Sequence, residues 1–272
     1  MPELFGSDAY APREVAERVQ TVGVAKARLP LPAMVMLGML AGAFIGLGAM
    51  GFALVTSDPT LGFAASRLLG GLVFSLGLLL VVVAGAELFT GNNLLMMAWA
   101  DGRISGGELL RNWAIVCAAN FVGAAGLALL VWLSRHGQMN GGLVAAKVLE
   151  IAAAKCTLPP VEAFFKGVLC NVLVCMAVWM AMAGRSVVDK AVAIVPPVTM
   201  FVAAGFEHSI ANMYYVPLAL LYRVDGLTSA HADAVGWAGL AANLGPVIAG
   251  NLVGGSLFVG LAYHLIYRRA RP

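Results

Sequence analysis

Two stretches of this chain share one pattern. Gly85-Ala86-Glu87-Leu88-Phe89-Thr90-Gly91-Asn92 and Gly205-Phe206-Glu207-His208-Ser209-Ile210-Ala211-Asn212 both read Gly-x-Glu-x-x-x-x-Asn. Both sit inside long apolar runs; the second is flanked by Val192 to Ala204 and by Met213 to Leu221. A glycine at such a place favours a break in a helix, and a break frees backbone groups that must find partners inside the protein. An ionisable residue in hydrocarbon is costly and points to function. The repeat therefore predicts a duplicated structure in which each copy contains one interrupted helix.

Composition says where such helices can exist. The chain of 272 residues is 61% hydrophobic and 11% charged. A soluble domain carries about 25% charged residues, so this chain cannot cover a water-facing surface and belongs in a lipid bilayer. A net charge of +3 gives no reason to expect nucleic acid as a partner. Residues 1–30 lack the compact apolar core of a signal peptide, so the first span is expected to serve as the targeting signal.

The predicted class is an all-α membrane protein with six transmembrane helices. Residues 1–30 form a cytoplasmic amphipathic segment, helical over Ala11 to Ala27, with Val15, Val19 and Val22 on the face laid along the membrane surface. Residues 31–272 form the pore domain. Its spans are predicted at about 33–55, 67–89, 109–133, 161–183, 191–221 and 243–267, with the second resuming as a half-helix to Trp99 and the fifth broken at Gly205 to His208. Ser105 and Glu108 have the spacing of a capping box before the third span. A short helix is expected over Leu143 to Ala154, and a polar connection over Arg223 to Asp233. Repeat one covers about 31–134 and repeat two about 159–269. Three spans per repeat make the copies insert in opposite directions, an inverted 3+3 repeat with broken second and fifth helices. Arg13, Arg18, Lys26, Arg28, Arg103, Arg111, Arg185, Lys190, Arg268, Arg269 and Arg271 then fall on one side, which predicts two cytoplasmic termini in a bacterial-type inner membrane.

Three stretches resemble the formate–nitrite transporter family, most closely its formate channels: Ala86 to Asn93, Lys166-Gly167-Val168-Leu169-Cys170-Asn171 through Trp179, and Gly205 to Met213. The similarity runs from about residue 30 to the C-terminus. It implies an aquaporin-like protomer, a homopentamer with one pore per protomer, and a small anion substrate, formate or nitrite. By motif, Leu88, Phe89, Val174 and Phe201 would line hydrophobic constrictions, joined by Phe74 and Leu78. His208, Lys155, Thr90, Glu207, Asn171, Asn212 and Asn251 would form the polar path, with Lys155 as the family's vestibule lysine. Formate is the leading substrate; nitrite is the alternative, and hydrosulfide and lactate fit the same family.

A small anion is expensive inside an apolar constriction. The N-termini of the half-helices near Asn92 and Ser209 are expected to attract it. Lys155 would concentrate it, and the imidazole of His208, which titrates near pH 6.5 when unperturbed, would exchange a proton with it, so that the neutral acid crosses. Glu87 and Glu207 are expected to brace the breaks by accepting hydrogen bonds from freed backbone N–H groups. Cys117, Cys156, Cys170 and Cys175 read as small hydrophobes, and His136, His231 and His264 have no partners at metal spacing, so no metal is expected. No Walker motif, catalytic nucleophile or cofactor site is visible, which disfavours an enzyme. A neutral-solute pore would carry paired Asn-Pro-Ala motifs, and the chain has none.

Overall fold

The computed structural model describes residues 9–228 and 231–268. Residues 1–8 of the expected entry segment, Ser229 and Ala230 of the expected 223–233 connection, and Arg269 and Arg271 lie outside the described residues. Among the described residues the structure is all helical, with no strand. In chain order it contains α1 (Pro12–Ala27), α2 (Leu31–Thr56), α3 (Phe63–Leu79), α4 (Met96–Ala100), α5 (Gly106–Leu133), α6 (Leu143–Cys156), α7 (Pro160–Ala183), α8 (Val187–Ala203), α9 (Ser209–Val224), α10 (Trp237–Leu252) and α11 (Ala262–Arg268). A π-helical stretch, Leu80–Gly85, prolongs α3, and another, Val253–Leu261, joins α10 to α11.

Five helical stretches are long and apolar enough to cross a membrane: Leu31–Thr56, Phe63–Gly85, Gly106–Leu133, Pro160–Ala183 and Trp237–Tyr267. A multi-pass membrane protein follows. Helices α8 and α9, of 17 and 16 residues, are each shorter. Exposed Leu, Val, Phe and Met side chains stud the outward faces of these stretches, among them Leu68, Leu72, Phe165, Leu169 and Met200. In water such a surface would aggregate, whereas in lipid it matches its surroundings.

Local sequence explains the boundaries. Ser105 accepts from the Glu108 amide at 3.1 Å while Glu108 Oε2 accepts from the Ser105 amide at 2.8 Å, the expected capping box at the start of α5. Ser186 and Asp189 build the same device at the start of α8. The second span stops earlier than the hydrophobicity predicts. It ends at Gly85 rather than Phe89, because Gly85 takes φ +85°, a left-handed conformation that terminates a helix. Gly205, at φ +75°, ends α8 in the same way.

Helix α2 packs against α5 and α3, while α7 packs against α10 and α8; α3 and α8 meet each other at the centre. The tight pairs depend on absent side chains. A Cβ on Gly123 would strike the Met39 carbonyl across the α2–α5 contact, and one on Gly250 would strike the Phe164 carbonyl across α7–α10. Helix α1 differs from expectation. Val15 and Val19 are buried against Met97, Trp179 and Val259, so its apolar face docks on protein rather than along a lipid surface, and only Val22 stays exposed. Its docking surface is built from α4, α7 and the Val253–Leu261 stretch.

Candidate functional site

Beyond Gly85 and Gly205 the backbone leaves the helix, and each departure is held by a matched set of polar side chains. In the first, the Glu87 carboxylate takes Lys26 Nζ at 2.7 Å on one oxygen and Asn92 Nδ2 at 2.7 Å on the other. Asn92 also donates to Asn112 Oδ1, and Asn112 donates to the Lys26 carbonyl. In the second, Glu207 takes Lys155 Nζ at 2.9 Å and Asn212 Nδ2 at 2.7 Å, Asn212 donates to Asn243 Oδ1, and Asn243 donates to the Lys155 carbonyl. A further asparagine completes each set. Asn120 accepts from the Phe89 amide and donates to the carbonyls of Gly38 and Glu87. Asn251 accepts from the Ser209 amide and donates to the carbonyls of Gly167 and Glu207.

These networks correct one expectation and sharpen another. The carboxylates of Glu87 and Glu207 do not accept from the freed backbone N–H groups. The Glu87 and Glu207 amides go to the carbonyls of Leu37 and Lys166, and the Phe89 and Ser209 amides go to asparagine side chains, because an amide donates and accepts at once and so satisfies both an N–H and a carbonyl at a break. The carboxylates, which only accept, are matched to ammonium and amide donors. The N-terminus of α9 is also less open than expected: the Ser209 amide is held by Asn251, and the Ala211 amide by His208 Nδ1 at 3.2 Å. Lys26, Asn112, Asn120 and Asn243 escaped the sequence reading. A signal for three of them was present, since Asn112 and Asn120 lie eight residues apart on α5, as do Asn243 and Asn251 on α10.

The two breaks meet at a Thr–His contact. Thr90 Oγ1 lies 3.0 Å from His208 Nε2, and both residues are buried. Since His208 Nδ1 accepts from the Ala211 amide, the neutral ring carries its hydrogen on Nε2 and donates to Thr90. Asn171, from α7, lies behind this contact, with Nδ2 within bonding distance of the carbonyls of Thr90 and Asn251 and of Asn93 Oδ1. Its place ties the first break to the second.

Two cavities approach this contact from opposite ends of α3. The first, about 280 Å³, is lined by Arg67 and Phe74 of α3 together with Lys155, Phe201, Glu207 and His208. The second, about 570 Å³, is lined by Leu78 and Val81, one turn further along, and by Lys26, Glu87, Leu88 and Asn92. Between them stand apolar side chains. Phe74 and Phe201 meet edge to face with ring centroids 5.8 Å apart, and Phe201 stacks on the His208 ring at 5.9 Å. Leu78 and Leu88 are 2% exposed and stand at the floor of the second cavity. Phe89 lies elsewhere. Its side chain borders a third, apolar groove of about 750 Å³ between α5 and α10. Val174 is buried in α7 within the main core. Among the described residues no cluster of His, Cys, Asp and Glu could hold a metal ion.

Comparison with known proteins gives this arrangement relatives. The family model described as "Formate/nitrite transporter" matches residues 13–265. The formate channel FocA of Escherichia coli (strain K12) is 42% identical over 275 residues, covering 96% of each chain. A probable formate transporter of Methanothermobacter thermautotrophicus is 36% identical over 281 residues, covering 97% of this chain and 99% of its own. A solved structure titled "Pentameric formate channel with formate bound" superimposes with a TM-score of 0.80 at 38% identity, covering 88% of this chain and 98% of that one. Another, titled "FNT family ion channel", gives 0.81 at 33% identity over 95% and 99%. Matched along nearly its whole length in sequence and in fold, the chain belongs to the formate/nitrite transporter family.

Proposed function

We propose that this protein is a membrane channel for small monovalent anions, formate foremost, working as a homopentamer with a separate pore in each protomer. The observation that carries the reading is the buried Thr90–His208 contact, reached by one cavity at His208 and flanked by a second at Leu88 and Gly91, the two lying toward opposite ends of α3. Relatives named as formate channels and a pentameric formate-bound homologue of the same fold support it.

In this reading α8 and α9 together make one broken span, and α3 with the segment Gly91–Ala100 makes its counterpart, so that six spans form an inverted 3+3 repeat. The close match of the two polar networks, which differ in that Lys26 also donates to Asn92 Oδ1, supports that symmetry. Residues 31–272 are the pore domain, and both termini face the cytoplasm, in keeping with the basic residues at that side. The cavity with Arg67 and Lys155 is then the outer mouth, and the cavity with Lys26 the inner.

Phe74, Phe201, Leu78 and Leu88 form the constrictions that a bare charge crosses at a cost of several kcal/mol. The anion reaches His208 from either cavity. In the field of its negative charge the ring takes a second proton from water at Nδ1, giving up the hydrogen bond from the Ala211 amide, and the imidazolium hands its Nε2 proton to the carboxylate. The neutral ring left behind accepts from the Thr90 hydroxyl at Nε2, the neutral acid passes the apolar side chains, and exchange of one ring proton with water restores the resting tautomer. On the far side the acid releases its proton to water. Asn171, Asn212 and Asn251 hold the two breaks in register, and Glu207 is fixed by Lys155.

The test is flux into proteoliposomes of purified protein, with formate, nitrite and hydrosulfide compared across pH. Formate should be carried, and His208→Asn should change how its flux depends on pH. Loss of all three fluxes in the wild type would overturn the channel reading. An unchanged pH profile in the variant would overturn the proton exchange alone.

A further inference from the structure

The outer cavity contains more basic side chains than the transport reading uses, and they are not equivalent. Lys155 is matched by Glu207 at 2.9 Å, and Lys166 is matched by Glu162 at 2.7 Å. Glu150, the other carboxylate at this mouth, is matched by Lys147 at 2.6 Å. Each of these charges has a counter-charge within contact, so each pair presents a dipole and little net field. Arg67 has none. Among the described residues its polar partners are two carbonyl oxygens, those of Ala203 at 2.9 Å and Val202 at 2.8 Å, and its guanidinium lies over the Phe52 ring at 5.4 Å. Two of its five N–H donors are thereby used, and the rest have no protein acceptor.

Those two carbonyls are the last of α8. The C-terminus of a helix carries a partial negative charge, about half an elementary unit. Here that end opens toward the outer cavity, beside the Phe201 ring that guards the constriction. Without a cation it would repel an arriving anion. Arg67 also touches the turn that leads to His208: a Cβ on Gly205 would come within 2.9 Å of its Nη2. The guanidinium therefore lies at the rim of the break as well as at the end of the helix.

We propose that Arg67 is the residue that gives the outer mouth its net positive potential, both by cancelling the α8 terminus and by supplying the one cavity charge that no carboxylate neutralises. It is a steering and positioning residue for anions such as formate, and this assignment rests on the anion-channel reading above. Lys155, by contrast, serves mainly to hold Glu207. Electrostatic focusing in a cleft raises capture of a charged solute by about 10-fold or more at low ionic strength and fades as salt screens it. A loss of packing alone has no such salt signature.

The experiment measures initial formate flux against concentration in proteoliposomes at about 10 mM and about 300 mM ionic strength, for the wild type, Arg67→Gln and Arg67→Lys. In Arg67→Gln, kcat/KM at low salt should fall roughly 5- to 20-fold, chiefly through KM, and the difference between the two salt conditions should shrink. Arg67→Lys should keep the salt dependence. A wild type that carries formate beside an Arg67→Gln protein with the same KM and salt dependence overturns the assignment and leaves the channel reading intact. A wild type that carries neither formate nor nitrite overturns both. Should Arg67→Gln fail to assemble, Arg67→Cys is treated with membrane-impermeant thiol reagents that attach an ammonium or a sulfonate, with identically treated wild type as the reference. The ammonium should raise formate flux and the sulfonate lower it; equal effects of the two overturn the proposal.

Discussion

Replacing Lys155 by Met removes one half of an ion pair that is almost enclosed. The Lys155 and Glu207 side chains are 13% and 7% exposed, and Nζ lies 2.9 Å from Oε1. At an effective dielectric of about 20, unit charges at that separation attract by about 6 kcal/mol. Part of this attraction offsets the desolvation of both ions, and removing one partner of a buried pair destabilises by about 3–5 kcal/mol, because the remaining charge is left uncompensated. For a chain of this length that corresponds to a melting temperature lower by about 10 °C. The second substitution decides the argument. Glu207→Gln added to Lys155→Met removes the orphaned charge, yet the Gln oxygen can still accept from Asn212 Nδ2, now bonded to Glu207 Oε2 at 2.7 Å. The double variant should recover at least half of the lost stability. Lys26→Met, whose lysine is 26% exposed in the matched pair, should cost less than Lys155→Met. Thermal unfolding of the detergent-solubilised protein, followed by near-ultraviolet circular dichroism or tryptophan fluorescence, measures these three variants against the wild type. A double variant no more stable than Lys155→Met alone would refute the uncompensated charge as the cause.

Other outcomes follow from the same geometry. Gly205→Ala places a Cβ in a backbone at φ +75° and within 2.9 Å of Arg67 Nη2, and should lower stability by about 1–2 kcal/mol in the same melting assay. Gly123→Leu drives a side chain into the Met39 backbone of α2 and should yield aggregated rather than monodisperse protein on size-exclusion chromatography. Asn251→Ala strips the Ser209 amide and the Glu207 carbonyl of a shared partner; at about 1–3 kcal/mol for each orphaned group it should destabilise by roughly 2–6 kcal/mol, and Asn120→Ala by a similar amount, read by denaturant or heat. Leu88→Ala opens the floor of the inner cavity and should raise flux of the bulkier anion lactate relative to formate in competition assays.

Much of this molecule was legible from residue types and spacing. Apolar runs gave five membrane-crossing stretches, Ser105 with Glu108 gave the start of α5, and the Gly-x-Glu-x-x-x-x-Asn repeat marked the two places where the backbone leaves the helix. The partners of those breaks were not legible, for a physical reason. Hydrophobicity and helix period report which face of one helix is apolar, whereas a carboxylate's partner comes from whichever element packs beside it. Lys26 read as a surface charge near the N-terminus because nothing local says that α1 tucks against α4 and delivers it to Glu87. Asn112 and Asn120 carry no local mark on a long helix, since only the folded chain shows that they face the first break. Phe89 illustrates the opposite error of scale: two adjacent residues, Leu88 and Phe89, were grouped by motif, but in irregular backbone neighbours point to different places, one to a cavity floor and the other to the groove between α5 and α10.

The matched ion pairs also bear on how the chain enters a membrane. Each lysine precedes its glutamate, Lys26 by 61 residues and Lys155 by 52. As the polypeptide emerges from the ribosome, the cation is therefore synthesised before the acidic segment it will pair with. The carboxylate can be handed from the aqueous insertion machinery to a waiting ammonium without resting bare in lipid. The asparagines of α5 and α10 come last in each half, so the backbone groups they satisfy gain those partners only once α5 or α10 has been made. A chain with the order reversed, acid first and base later, would leave the carboxylate without its partner for the time needed to synthesise some fifty residues, or about 3–10 s at typical elongation rates. The order of charges along the chain is thus a schedule for insertion as much as a feature of the finished pore.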